Sequence, residues 1–170
     1  MPRDGSRVEL LVLDVDGVLS DGAIVHGPEG FELKRFNTKD GFGLRLWSEM
    51  GFRSCIITGR SSHAVTTRAR ELGIDPVAQG VKNKVEALAG VLRQLNMSPD
   101  RVAVVGDDWP DIRIMKQSAY AIAPADATQE TIAAADHVTN ACGGRGAVRE
   151  AVEHLLGLKG LMEKARALYH

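Results

Sequence analysis

The chain has 170 residues, 44% of them hydrophobic, with a formal net charge of −1 and two cysteines. That length suits one domain burying roughly two-thirds of the surface its unfolded chain exposes, and so small a charge gives no argument for nucleic acid or an anionic membrane as partner. Cys55 and Cys142 make no disulfide framework; the start Met1-Pro2-Arg3-Asp4-Gly5 lacks a signal peptide's apolar region and no segment could span a bilayer, so the cytoplasm is the default location.

Residues 8–13 form an almost uninterrupted apolar run, which reads as a strand buried on both faces of a parallel sheet. Asp14-Val15-Asp16-Gly17-Val18-Leu19 follows at its C-terminal end, where open α/β sheets bind ligands. Two aspartates there are costly for packing, and a chemical role explains them better. Gly17 lets the backbone turn sharply and offer N–H groups to an anion. Next, residues 23–26 and 31–36 flank Gly27-Pro28-Glu29-Gly30, a hairpin signal, so a hairpin over 23–36 should project above this end of the sheet.

A helix is expected near 40–50 and a strand over 53–57, which runs into Thr58-Gly59-Arg60. Helices follow near 61–72 and 83–95, the latter opened by Gln79-Gly80-Val81-Lys82-Asn83-Lys84 and closed by Ser98-Pro99-Asp100. A strand over 102–105 leads into Gly106-Asp107-Asp108, with Asp111 one helical turn on. Further strands near 119–123 and 137–139 alternate with helices near 108–116, 127–134 and 146–156. The alternation predicts a doubly wound, Rossmann-like α/β fold: a mostly parallel sheet in a three-layer α/β/α domain spanning 1–170. Neither the stretch from Asp14 to Thr58 nor that from Lys84 to Asp107 has room for an inserted cap domain. The site should therefore be open in a monomer or closed by another subunit, and water exclusion favours the second.

The ordered set of acid pair, hydroxyl, lysine and acid pair resembles the haloacid dehalogenase-like phosphohydrolases along nearly the whole chain. The resemblance implies an aspartyl-phosphate mechanism with Mg²⁺. Asp14 is then the nucleophile; a divalent cation removes the repulsion between carboxylate and phosphate. Asp107, Asp14 and the backbone carbonyl of Asp16 would share the ion, with Asp108 behind them and Asp111 steering Lys84 or the metal's waters. One acid of the Asp107-Asp108 pair is equally suited to cap the next helix. Asp16 is the expected general acid and base, a residue that phosphatases of the superfamily carry and dehalogenases lack. Thr58 and Gly59 would hold phosphate oxygens, and Lys84 would stabilise the transition state. Spacing alone leaves Lys82 in competition with Lys84; the family pattern, Gly, two variable residues, then Asn-Lys, selects Lys84.

Phe36-Asn37-Thr38-Lys39-Asp40-Gly41-Phe42-Gly43 and Gly143-Gly144-Arg145-Gly146-Ala147-Val148-Arg149-Glu150 narrow the resemblance. With residues 14–22 they are similar to the capless branch containing the 3-deoxy-D-manno-octulosonate 8-phosphate phosphatases of lipopolysaccharide precursor synthesis. Ser20 stands where that family usually has Thr, and the Trp109-Pro110 pair is a second departure. The substrate implied is a sugar-acid phosphate, bound through Asp16, Asn37, Thr38, Lys39, Asp40, Gly41, Arg45, Gly59, Arg60, Arg68 and Lys84. Arginines suit the extra carboxylate of such a substrate. A homotetramer is also implied, with hairpins meeting and the C-terminal tail capping a neighbour's site. The tail, 158–170, carries Leu158, Leu161, Met162, Leu168 and Tyr169, apolar residues with no obvious home on their own domain. Its removal after Lys159 should leave the fold intact and lower turnover. The five histidines match no metal spacing and read as surface or packing residues. Other readings are a nonulosonate 9-phosphate or smaller sugar phosphate as substrate, a catalytically silent binding domain, and a receiver domain. The last fits poorly, because its phosphoacceptor is a later aspartate.

Overall fold

The computed structural model describes residues 3–169, so the reading of His170 lies outside the described residues. Six strands form one parallel sheet: β1 Leu10–Leu13, β4 Arg53–Ile57, β5 Val77–Ala78, β6 Val102–Val105, β7 Tyr120–Ala123 and β8 His137–Val138. Their order is β5-β4-β1-β6-β7-β8. The chain leaves β1 towards one edge through β4 and β5, then returns to fill the other, so β1 marks the topological switch point. In register, Leu13 lies between Ile56 and Val105. The residues that follow these three strands therefore emerge side by side at one edge.

Alternation of side chains along each strand supplies two cores. Leu11, Leu13, Ile56 and Val105 pack against α1 (Thr38–Glu49), α2 (His63–Leu72) and α6 (Ala147–Leu158). Leu10, Val12, Cys55 and Val104 pack against α3 (Lys84–Leu95) and α4 (Trp109–Gln117). Both sheet faces are covered, which is why the strands read as apolar runs rather than as alternating patterns. Burial in the second core pushes the Cys55 thiol up to about 12, an inert small hydrophobe. No cap domain interrupts the fold among the described residues, and none of their helices is long and apolar enough to cross a membrane.

Three features depart from the sequence reading. The edge strand β5 was not expected; two residues between Pro76 and Gln79 carry no period, yet the carbonyls of Pro76 and Ala78 accept the N–H groups of Ile56 and Thr58. The hairpin is real but short, with β2 (Val25–His26) and β3 (Glu32–Leu33) in antiparallel pairing. Phe36 leaves that ladder and bridges Ser20 instead. The tail also differs from expectation, because it has cover on its own domain. After the short α5 (Gln129–Ala134) and α6, a last helix α7 (Met162–Arg166) buries Ala165, and Leu161 and Met162 pack on the first core. Tyr169 meets Phe42 edge-on, ring centroids 4.9 Å apart, and donates a hydrogen bond to Glu49.

Candidate active site

The ends of β1, β4 and β6 bring Asp14, Thr58 and Asp107 to one cavity of about 620 Å³, together with Asp16, Gly59, Arg60, Lys84 and Asp108. Asp14 is held on both oxygens. Its Oδ1 accepts the N–H of Val15 at 2.7 Å, and its Oδ2 lies 2.9 Å from Lys84 Nζ. Lys84 opens α3, where the side chain of Asn83 caps the N–H groups of Val85 and Glu86. Its ammonium also sits 2.6 Å from Asp111 Oδ1. Burial works against the lysine charge, but Asp14 and Asp111 outweigh it and hold its pKa above the usual lysine range.

Negative charge is still in surplus. One oxygen each of Asp14, Asp107 and Asp111 falls within 4.8 Å of the others. Asp107 Oδ1 and Asp111 Oδ2 are buried without a hydrogen-bond partner among the described residues. Burial, then the charges of Asp14 and Asp111, push Asp107 up to about 7; burial and then Asp14 push Asp111 up to about 6. Orphaned carboxylate oxygens crowded in this way suit a hard divalent cation such as Mg²⁺. Asp111, expected to steer Lys84 or the metal's waters, is the partner of Lys84 and also a member of the crowded trio. Asp108 takes the capping role: it is exposed, and its Oδ1 accepts the N–H of Trp109 at the start of α4. Pro110 lies in that first turn, where a missing N–H costs nothing, and Trp109 faces solvent at 64% exposure.

Close backbone contacts set the site's shape. Gly17 has φ of +86°, and a Cβ there would lie 2.1 Å from Asp107 Oδ2. Only glycine lets β6's aspartate approach the first loop so closely. That loop is backed in turn by Gly143 and Gly144, the latter donating its N–H to Val18 O at 2.9 Å. A Cβ on Gly143 would fall 1.8 Å from the Gly17 carbonyl. Thr58 is 2% exposed at the cavity floor, and Gly59 beside it is open.

Asp16 meets the hairpin. Lys34 Nζ lies 2.5 Å from Asp16 Oδ1 and 3.4 Å from Glu32 Oε1. Arg60 donates to Glu32 Oε2 at 2.7 Å and approaches Asp16 Oδ2 to 3.7 Å. The Arg60 bond chiefly holds the Glu32 carboxyl down to about 2. Sequence reasoning missed Glu32 and Lys34; their available signal was the alternation Phe31-Glu32-Leu33-Lys34. It also missed Asn83, Pro110 and Arg113, and set Lys82 aside in favour of Lys84; all four line the cavity wall.

The remaining predicted residues are not brought to this cavity. Asn37 caps α1 through the N–H of Lys39, and Thr38 and Lys39 are exposed. Asp40 is 1% exposed and accepts the N–H groups of Gly146 and Arg149, capping α6. Gly41 faces the Arg68 guanidinium, Arg68 pairs with Glu71 at 3.1 Å, and Arg45 is exposed. Asn37 and Thr38 border a separate depression with Asp21, Arg35 and Arg145, whereas Arg68 borders one between the hairpin and α2.

The haloacid dehalogenase-like hydrolase family model matches residues 77–149. The 3-deoxy-D-manno-octulosonate 8-phosphate phosphatase KdsC of Escherichia coli K12 is 45% identical over 160 residues, covering 94% of this chain and 85% of that protein. The chain belongs to the KdsC family. The Yersinia pestis KdsC is 40% identical over 163 residues, 96% of this chain and 87% of its own. Among solved structures, the Moraxella catarrhalis phosphatase in complex with magnesium, phosphate and KDO superposes with a TM-score of 0.94 at 37% identity, covering 98% of this chain and 95% of that one. KdsC membership makes the chain a haloacid dehalogenase-type phosphatase with the parallel sheet and capless outline described above.

Proposed function

We propose that this KdsC-family chain is a magnesium-dependent phosphatase that hydrolyses 3-deoxy-D-manno-octulosonate 8-phosphate to the free sugar acid and phosphate. The observation that carries the reading is the placement of Asp14 at the sheet's switch point, 2.9 Å from a buried Lys84 and beside the partnerless oxygen of Asp107. Asp14 Oδ1 is occupied by a backbone N–H, which steadies the carboxylate for attack on phosphorus. As the Asp14–phosphorus bond forms, the ester oxygen leaves and takes a proton from Asp16. Asp16 then removes a proton from water, which attacks the aspartyl phosphate and frees Asp14. Lys84, Thr58 and the Gly59 N–H hold the phosphoryl oxygens through both steps, and Arg60 faces the sugar acid. Asp14, Asp107 and the Asp16 carbonyl would hold Mg²⁺, with Asp111 adjoining. Bound there, the ion offsets the repulsion between carboxylate and phosphate.

The enzyme would act in the cytoplasm in lipopolysaccharide precursor synthesis, as a homotetramer. In such an assembly Asn37, Thr38, Lys39, Arg45 and Arg68, which face away from their own cavity, would serve a neighbouring subunit's substrate. The test is a panel of phosphorylated sugar acids and neutral hexose phosphates assayed with Mg²⁺ and ranked by kcat/KM. The 8-phosphate of the octulosonate should lead. A hexose phosphate ahead of every ulosonate would overturn the substrate assignment.

A further inference from the structure

Strand β3 presents opposite chemistries on its two faces. Phe31 and Leu33 point outward, 62% and 51% exposed, while Glu32 and Lys34 turn inward onto Arg60 and Asp16. The Lys34 side chain is only 1% exposed. An ammonium so enclosed is costly unless it is paired, and its charge is shared between Asp16 and Glu32. Both the Lys34 ammonium and the Ser20 hydroxyl donate to the same oxygen, Asp16 Oδ1, at 2.5 and 3.2 Å. Among the described residues the other oxygen, Oδ2, has only Arg60 as a charged partner, at 3.7 Å. The two oxygens of one carboxyl group are thus unlike: one is anchored, the other faces the cavity.

We propose that Lys34 is a positioning residue that locks Asp16 Oδ1, leaving Oδ2 as the oxygen that exchanges the proton. This rests on the general-acid reading of Asp16 given above. Lys34 itself is too enclosed to reach substrate and acts through Asp16 alone. In the first step Oδ2–H gives its proton to the departing alkoxide while the bond to phosphorus breaks. In the second, Oδ2 regains one from the attacking water. Rotation of the carboxyl group would waste both transfers, and the anchored Oδ1 prevents it. Glu32, tied to Arg60, holds the lysine in turn.

The test uses leaving groups of different basicity. A sugar alkoxide needs a proton as it leaves, whereas 4-nitrophenolate does not, and kcat/KM reports only the steps through departure. Lys34→Met should lower kcat/KM for the sugar-acid phosphate about 10- to 100-fold, within the range of general acid catalysis. For 4-nitrophenyl phosphate the change should stay within about threefold, and that retained activity also certifies the fold. In the Asp16→Asn background, Lys34→Met should cost nothing further on the sugar substrate. Equal losses on both esters, no loss on either, or a full additional loss without Asp16 would each overturn the proposal. If Asp16→Asn itself shows no preference between the esters, the general-acid reading fails instead. Should Lys34→Met not fold, Lys34→Gln, which keeps a donor but falls short of Asp16, is judged by the same criteria.

Discussion

Two enclosed lysines in this molecule each stand between two carboxylates, Lys84 with Asp14 and Asp111, Lys34 with Asp16 and Glu32. Lys84 is carried by the first turn of a capped twelve-residue helix whose Leu88, Val91 and Leu92 belong to the core. Lys34 follows a strand of two residues in a hairpin whose Ile24, Val25, Phe31 and Leu33 are exposed. A lone hairpin is marginal by itself. The surroundings of Asp14 are therefore built into the rigid sheet, while those of Asp16 depend on a marginal appendage.

The sharpest way to break the first cluster is Asp14→Asn. It should reduce turnover by at least about 10⁴-fold, with phosphate binding largely retained. Substrate labelled with radioactive phosphorus supplies the check: in the wild type the label should pass through the Asp14 side chain during a single turnover, and in the variant it should not. Next comes Lys84→Met, expected to lower kcat by about 10²–10³-fold. It leaves the carboxylate trio without its cation, so the metal-free protein should melt lower, and added Mg²⁺ should recover more stability than in the wild type. Melting curves with and without chelator decide this.

A smaller effect concerns pH. Burial, then Asp14 and Asp111, raise Asp107 to about 7 in the metal-free protein. A carboxyl group raised on folding contributes stability that is whole below its unfolded pKa and lost as pH rises through the folded one. The metal-free wild type should thus lose ground to Asp107→Asn between about pH 4 and about pH 8, and saturating Mg²⁺ should shrink that difference. Smallest is Asp40→Ala, remote from both lysines. Losing the cap on α6 should cost about 1–2 kcal/mol and leave kcat/KM per folded molecule unchanged; a drop in kcat/KM would place Asp40 at a substrate.

Much of the Lys84 cluster could be read from the chain because each member follows a strand or opens a helix: Asp14 after residues 8–13, Thr58 after 53–57, Asp107 after 102–105. The doubly wound sheet was legible for the same reason, through strands apolar on both faces. The Lys34 cluster was not, since a Glu-Leu-Lys alternation normally sends leucine inward and the charges out, and here the hairpin inverts that rule. Asp40 resisted reading too: its partners Gly146 and Arg149 are distant in sequence, and a capping aspartate looks like a ligand until both helices are placed. The tail looked homeless because the groove that covers Leu161 and Met162 is made by elements brought together only in the folded chain.

The glycine pair at 143–144 ties the first loop to a segment made long after it. A nascent chain already carries Asp14 and Asp16 when its first strand leaves the ribosome, but their backing does not yet exist. Hydrolytic competence should consequently switch on only after that segment has emerged, and a shorter nascent chain in the cell would be spared from attacking passing phosphate esters.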